Sequence, residues 1–167
     1  MPPTINVQFR NAGLGDGSMR VPLKRFAERI LAPCLQEHGF AHGEVTVLFS
    51  GTVYIRALNL QYRAIDKPTD VLSFPFSDDL EASRRAPQAY LGDVALCLAV
   101  CQEQAPDNGR CLADEVALLL VHGFLHLVGY DHDTKPKEKA MWKETDRLLA
   151  ISAGVARPEL RTREVGA

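Results

Sequence analysis

Leu120-Val121-His122-Gly123-Phe124-Leu125-His126-Leu127-Val128-Gly129-Tyr130-Asp131-His132 holds three of the chain's five histidines. His122 and His126 are four residues apart, so on an α-helix they lie on one face, one turn above the other. From Val116 to Val128 the sequence is apolar almost throughout, which predicts a helix buried on nearly all sides. Unpaired polar side chains are costly in such surroundings, and a metal ion gives two histidines something to bind. Gly129 is placed to end the helix, because glycine takes the left-handed conformation without a Cβ clash. The chain can then turn back and bring His132 to the same ion. A lone histidine on an apolar helix is more often a satisfied core residue than a ligand. Two at helical spacing, with a third beyond a glycine turn, shift the balance to a metal site. Three neutral imidazoles with an open fourth position are the arrangement of a catalytic zinc site, whereas structural sites close that position. Nickel, copper and iron also suit three imidazoles.

The spacing H-x-x-x-H-x-x-G-x-x-H is also that of the metzincin proteases, which carry a glutamate after the first histidine. That glutamate is their general base, and Gly123 stands in its place here. General acid–base catalysis contributes about 10²–10⁴-fold, so the ligand geometry survives and the peptidase chemistry is weakened. A metal-dependent peptidase or other metallohydrolase stays open as an alternative.

The block His122-Gly123-Phe124-Leu125-His126-Leu127-Val128-Gly129-Tyr130-Asp131-His132 closely resembles the signature of the bacterial YbeY family of metal-dependent endoribonucleases, also called rRNA maturation factors. Two further stretches agree and come in the family's order. One is Leu58-Asn59-Leu60-Gln61-Tyr62-Arg63 followed by Asp66-Lys67-Pro68-Thr69-Asp70-Val71-Leu72-Ser73-Phe74-Pro75; the other is Leu91-Gly92-Asp93-Val94. The resemblance runs from about Ile5 to about Leu149. It implies a zinc-dependent endoribonuclease that cuts single-stranded RNA in ribosomal RNA processing, at the 16S 3′ end, and in ribosome quality control. It also implies that Arg63 is functional. A guanidinium suits that part, since it stays charged and grips phosphate oxygens bidentately.

Around these blocks the chain reads as one α+β domain over residues 1–155, with a polar tail over 156–167. Its 167 residues are enough for a real core, and 46% hydrophobic with 24% charged residues is ordinary for a globular protein. Ile5, Val7 and Phe9 alternate with polar residues as a strand does, and so do Val45, Val47 and Phe49. Val71 to Phe74 and Ala89 to Leu96 make the third and fourth strands. Pro75 disfavours a central position for the third, and Gly92 marks a bulge or a close backbone approach. About five helices are predicted to pack on this mixed four-stranded sheet, with the buried metal-binding helix at the centre. They cover residues 21–37, 53–62, 98–104, from about 111 to 128, and 136–151. Pro33 should kink or end the first. Ser50-Gly51-Thr52 supplies cap and turn residues for the second, and Thr134 caps the last, with Pro136 in its first turn. Residues 77–88, which include Arg84 and Arg85, read as an exposed loop with both arginines in solvent.

Other polar residues have plainer expectations. His38 and His42 have no partner at ligand spacing and are assigned to the surface. Arg56 and Arg63, seven residues apart, can share one face near Lys67. Glu115 is two turns before His122 and reads as a solvated acid of the first turn, with a role behind the histidine as the other option. Asp131 or Asp133 is expected to take the second ring nitrogen of a metal-bound histidine. Cys34, Cys97, Cys101 and Cys111 are expected to be buried reduced thiols. No secretory signal and no apolar run of membrane-spanning length is seen, which points to the cytoplasm. The net charge of −2 gives no global attraction to nucleic acid. It fits a protein that meets single-stranded or ribosomal RNA on the ribosome, where ribosomal proteins add affinity. A non-catalytic ribosome-assembly factor with a structural metal is the remaining alternative.

Overall fold

The alternation of Val45, Val47 and Phe49 becomes the central strand of a four-stranded mixed sheet. The computed structural model describes residues 1–162. In chain order its elements are β1 (Thr4–Arg10), α1 (Arg20–Glu37), β2 (Gly43–Ser50), α2 (Thr52–Arg63), β3 (Val71–Pro75), α3 (Leu80–Arg85), β4 (Ala89–Cys97), α4 (Leu98–Gln104), α5 (Leu112–Leu127) and α6 (Lys135–Ile151). The strand order is β1-β2-β4-β3. β1 and β4 run parallel to β2, and β3 runs antiparallel to β4. β3 is therefore an edge strand, the place where Pro75 is tolerated. Between Glu44 and Val45 of β2 the register with β4 shifts by one, opposite Leu91. Gly92 beside it has φ +132°, and a Cβ there would stand 2.2 Å from the carbonyl oxygen of Phe74. The bulge and the close backbone approach are thus one feature.

One face of the sheet carries α1 and α5, and α6 packs outside α5. Val116, Leu120, Val121, Phe124 and Leu125 of α5 are wholly buried in this layer. Each is worth about 1.5–3 kcal/mol, far more than the ~1 kcal/mol that a glycine costs inside a helix. α5 therefore tolerates Gly123. The close approach to the sheet requires it: a Cβ at position 123 would lie 2.5 Å from Cγ1 of Val94 and 3.3 Å from Oγ of Ser73. The Ser73 hydroxyl donates to the carbonyl of Gly123 at 3.0 Å. The opposite face of the sheet is covered by α2 over a smaller core of Ile55, Leu72, Ala95, Cys97 and Ala99.

Several expectations change. α1 continues through Pro33 to Glu37, because Leu23, Phe26, Ile30, Leu31, Cys34 and Leu35 are all buried along one face; packing outweighs the lost backbone donor. Residues 80–85 form the short helix α3 rather than loop, with the Asp79 carboxylate accepting from the amide of Ala82. Arg84 is not free in solvent: it donates to the carbonyl of His38 and lies over the Phe40 ring. His38 is half-buried, 2.9 Å from Glu144 and edge-on to Phe124 and Tyr130. Cys34, Cys97 and Cys101 are buried thiols, but Cys111 is exposed; burial pushes the Cys34 thiol up to about 12. Residues 156–162 form no helix or strand, yet are held down. Arg157 pairs with Asp114 at 2.9 Å, and Gln102 accepts from the amide of Thr162 at 2.7 Å. The remaining tail, 163–167, lies outside the described residues. Among the described residues no helix is long and apolar enough to cross a membrane.

Gly123→Ala should destabilise the fold by about 1–3 kcal/mol despite alanine's better helix propensity. Combined with Val94→Ala, itself destabilising, the two losses should be less than additive. Denaturant melts of the two single variants and the double test this; additive losses would show that the two positions do not meet.

Candidate metal centre

α5 ends as its sequence foretells. Gly129 has φ +95°, the amide of Tyr130 donates to the Leu125 carbonyl at 2.9 Å, and that of Gly129 to His126 at 3.2 Å. This pair of bonds is the Schellman closure. It reverses the chain and carries His132 back to His122 and His126. One ring nitrogen from each of the three histidines lies within 4.8 Å of the other two. Nε2 of His126 and Nε2 of His122 are 3.1 Å apart. Two nitrogens bound tetrahedrally to one zinc at ~2.0–2.1 Å lie ~3.3 Å apart, so the pair already has the bite of a metal chelate. Nδ1 of His126 is 2.9 Å from the Tyr130 carbonyl. A carbonyl only accepts, so that nitrogen carries the proton and Nε2 offers a bare lone pair. The residues present therefore fit a metal ion.

Electrostatics act in the same direction. Burial, followed by the neighbouring His126 and His132, lowers the His122 pKa to about 4, with Asp70 pulling it partly back. Burial likewise lowers that of His126, against the bond to Tyr130. Both rings are held neutral near pH 7, the form that binds metal. Among the described residues no carboxylate stands behind the ring of His122, His126 or His132 as expected: Asp131 accepts from the backbone amide of His132 at 2.7 Å, and Asp133 pairs with Lys137 at 3.2 Å. The Tyr130 carbonyl does that job instead, a partner that no side-chain pattern announces.

The histidines sit in a cavity of about 470 Å³ that Arg63, Asp70, Ser73, Glu115 and Trp142 also line. Arg63 is the last residue of α2. After it Ala64 takes φ +58°, its amide bonding to the Leu60 carbonyl at 3.1 Å. That closes the helix with a left-handed residue, a conformation that costs a non-glycine residue of order 1–3 kcal/mol. The Asn59 side chain donates to the Lys67 carbonyl at 2.8 Å and pins the loop that leads to Asp70. Arg56, in contrast, is spent on Asp66 at 2.8 Å, and of Arg56, Arg63 and Lys67 it is Arg63 that lines the cavity.

Glu115 corrects the sequence reading most sharply. It is 1% exposed and accepts from Gln104 at 3.0 Å, Asn108 at 3.2 Å and Arg110 at 3.2 Å. Gln104 donates to Asp70 as well, at 2.7 Å. A buried carboxylate is costly unless donors surround it, and this one ties α4 and its following loop to α5. Asp70, Gln104, Asn108, Arg110 and Trp142 were not predicted as site residues. Two signals were available: Asp70 lies in the Asp66–Pro75 stretch quoted above, and Trp142 is the chain's single tryptophan, on the polar side of α6. It is 44% exposed, with its ring centred 6.2 Å from that of His122.

Comparisons with known proteins agree with this architecture. A family model described as endoribonuclease YbeY matches residues 16–152. A protein of Rhodopseudomonas palustris named endoribonuclease YbeY is 42% identical over 120 residues, covering 69% of this chain and 60% of that protein. Proteins of the same name from Bacillus licheniformis and Beijerinckia indica are 39% and 40% identical, over 80% and 95% of this chain and 89% and 78% of their own lengths. The solution structure of a Thermotoga maritima protein superposes with a TM-score of 0.51 at 26% identity, covering 94% of this chain and 99% of that one.

The metal-free protein should lose stability as the pH falls from about 6.5 toward 4. The unfolded histidines take up protons in that window, while folded His122 resists until about 4. Thermal melts across it should show a falling midpoint, less steep in His122→Asn. Added zinc should raise the midpoint in the wild type but not in His126→Ala. A flat midpoint with pH, or equal zinc effects in both proteins, would contradict the site.

Proposed function

Because the chain belongs to the endoribonuclease YbeY family, we propose that it is a zinc-dependent endoribonuclease that cuts single-stranded RNA in ribosomal RNA processing. The observation that carries this reading is the meeting of three imidazoles at one point with a guanidinium on the wall of the same cavity. His122, His126 and His132 would hold the ion. When bound, zinc lowers the pKa of a coordinated water or acts as a Lewis acid on a phosphoryl oxygen.

The other residues define what the chain itself contributes. Arg63 binds the scissile phosphate and neutralises the charge that grows on it in the transition state. Attraction between opposite charges is strongest where water is excluded, and the Leu118 and Leu119 side chains on the cavity wall help to exclude it. The Tyr130 carbonyl keeps His126 in the tautomer that leaves Nε2 free. Trp142 at the rim offers a ring on which an unpaired base stacks. A peptidase mechanism of metzincin type gains nothing from this geometry, since position 123 has no room for a glutamate.

In the cell we place this activity in the cytoplasm, on ribosomal particles, in maturation of the 16S 3′ end and in ribosome quality control. The net charge of −2 supports a ribosomal protein partner over free RNA as the source of much of the affinity.

Purified protein should cut a labelled single-stranded RNA and leave the matching duplex intact. Arg63→Ala should lower the rate by about 10²–10³-fold, and Arg63→Lys should retain part of it, keeping the charge but not the fork. Equal cutting of duplex, or an Arg63→Ala rate within about threefold of wild type, would remove the proposed specificity or the proposed part of Arg63.

A further inference from the structure

The outer face of the sheet is only partly covered. Beyond the small core under α2 a groove of about 560 Å³ opens, and Tyr54, Tyr62, Phe74 and Tyr90 are among its walls. Tyr62 meets Phe74 edge to face, with ring centroids 4.9 Å apart, and Phe76 meets Tyr90 the same way at 5.3 Å. Phe76 is 70% exposed and Tyr62 60%. Single apolar residues on a surface are ordinary, but three tyrosines and Phe74 lining one groove, with exposed Phe76 packed against Tyr90, are the kind of patch that marks a binding site.

The edge strand β3 ties this groove to the metal centre. Side chains of a strand alternate between its two faces. Ser73 and Pro75 line the cavities around His126 and His132, while Phe74 lines the groove on the other side. Phe76 continues the alternation, its amide bonded to the Leu91 carbonyl at 3.0 Å. A strand of RNA passing over this edge would touch both sites. Positive charge stands beside the walls of the groove: Arg63, on the metal cavity, is next in the chain to Tyr62, and Arg10 lies over the Tyr54 ring at 4.5 Å. The groove's carboxylate, Asp93, accepts a hydrogen bond from the Tyr90 hydroxyl.

We infer that this groove is a stacking platform for unpaired bases of the same RNA strand that crosses the metal centre. The inference rests on the endoribonuclease reading above and deepens it. Stacking on aromatic rings tolerates any base sequence and needs bases free of their partners. The platform therefore favours single strands over duplex without reading sequence. It also lets a chain of slightly negative net charge hold RNA with few phosphate contacts, so that binding falls only gently with salt.

The test is equilibrium binding of a labelled single-stranded RNA to the full chain, with chelator present so that nothing is cut. Phe76→Leu and Tyr62→Leu keep the apolar character and remove the π face. Each should weaken binding by about fivefold to a hundredfold, while Phe76→Tyr binds like wild type. If the leucine variants bind the longer RNA as tightly as wild type, the platform is overturned and the groove is left to an apolar protein partner. If the wild type itself binds no single-stranded RNA, the platform is overturned as well, whereas the endoribonuclease reading stands or falls on the cleavage assay.

Discussion

The contact between α5 and the sheet at Gly123 is the constraint on which the site depends. The missing side chain lets the helix backbone settle against Val94, and the Ser73 hydroxyl fastens the Gly123 carbonyl to β3. Protein interiors are packed like crystals, so a helix held at one such point transmits its position along its length. His122 and His126, on either side of Gly123, are thereby set against the cavity that β3 and the end of α2 help to form. The glycine that removes the protease base is the same glycine that seats the helix. One residue thus argues for a packing reason and against a peptidase at once.

Polar groups follow from that packed frame. α5 is buried on nearly every side, so its polar residues must all be satisfied from within. Glu115 is answered by Gln104, Asn108 and Arg110, and His126 by the Tyr130 carbonyl. The two histidines that keep a nitrogen toward the cavity are held neutral by burial, the state in which imidazole binds a cation. A buried apolar helix is in this way compatible with a cation, because the imidazoles that would hold it are neutral.

Much of this was legible in the residues. The i, i+4 histidines, the turn at Gly129, the edge position of Pro75 and the close approach at Gly92 each follow from local geometry, and the structure keeps all four. What stayed hidden depends on partners distant in sequence. Glu115 looks like a helix-start acid until α4 and its loop fold over it. His38 looks solvated until α6 brings Glu144 beside it. The orienting carbonyl of Tyr130 has no side-chain signature, and the docking of residues 156–162 rests on contacts to Asp114 and Gln102 that no periodicity records. α3 is short and bears no buried residue, so it left no apolar pattern to read.

The most direct measurement is RNA cleavage by the chelator-stripped chain before and after zinc is returned, beside identically purified His126→Ala. The account predicts that stripping abolishes cutting, that about one equivalent of zinc restores it, and that folded His126→Ala stays inactive with or without zinc. Cutting that survives stripping, or that His126→Ala performs at the wild-type rate, would contradict a catalytic metal held by His122, His126 and His132.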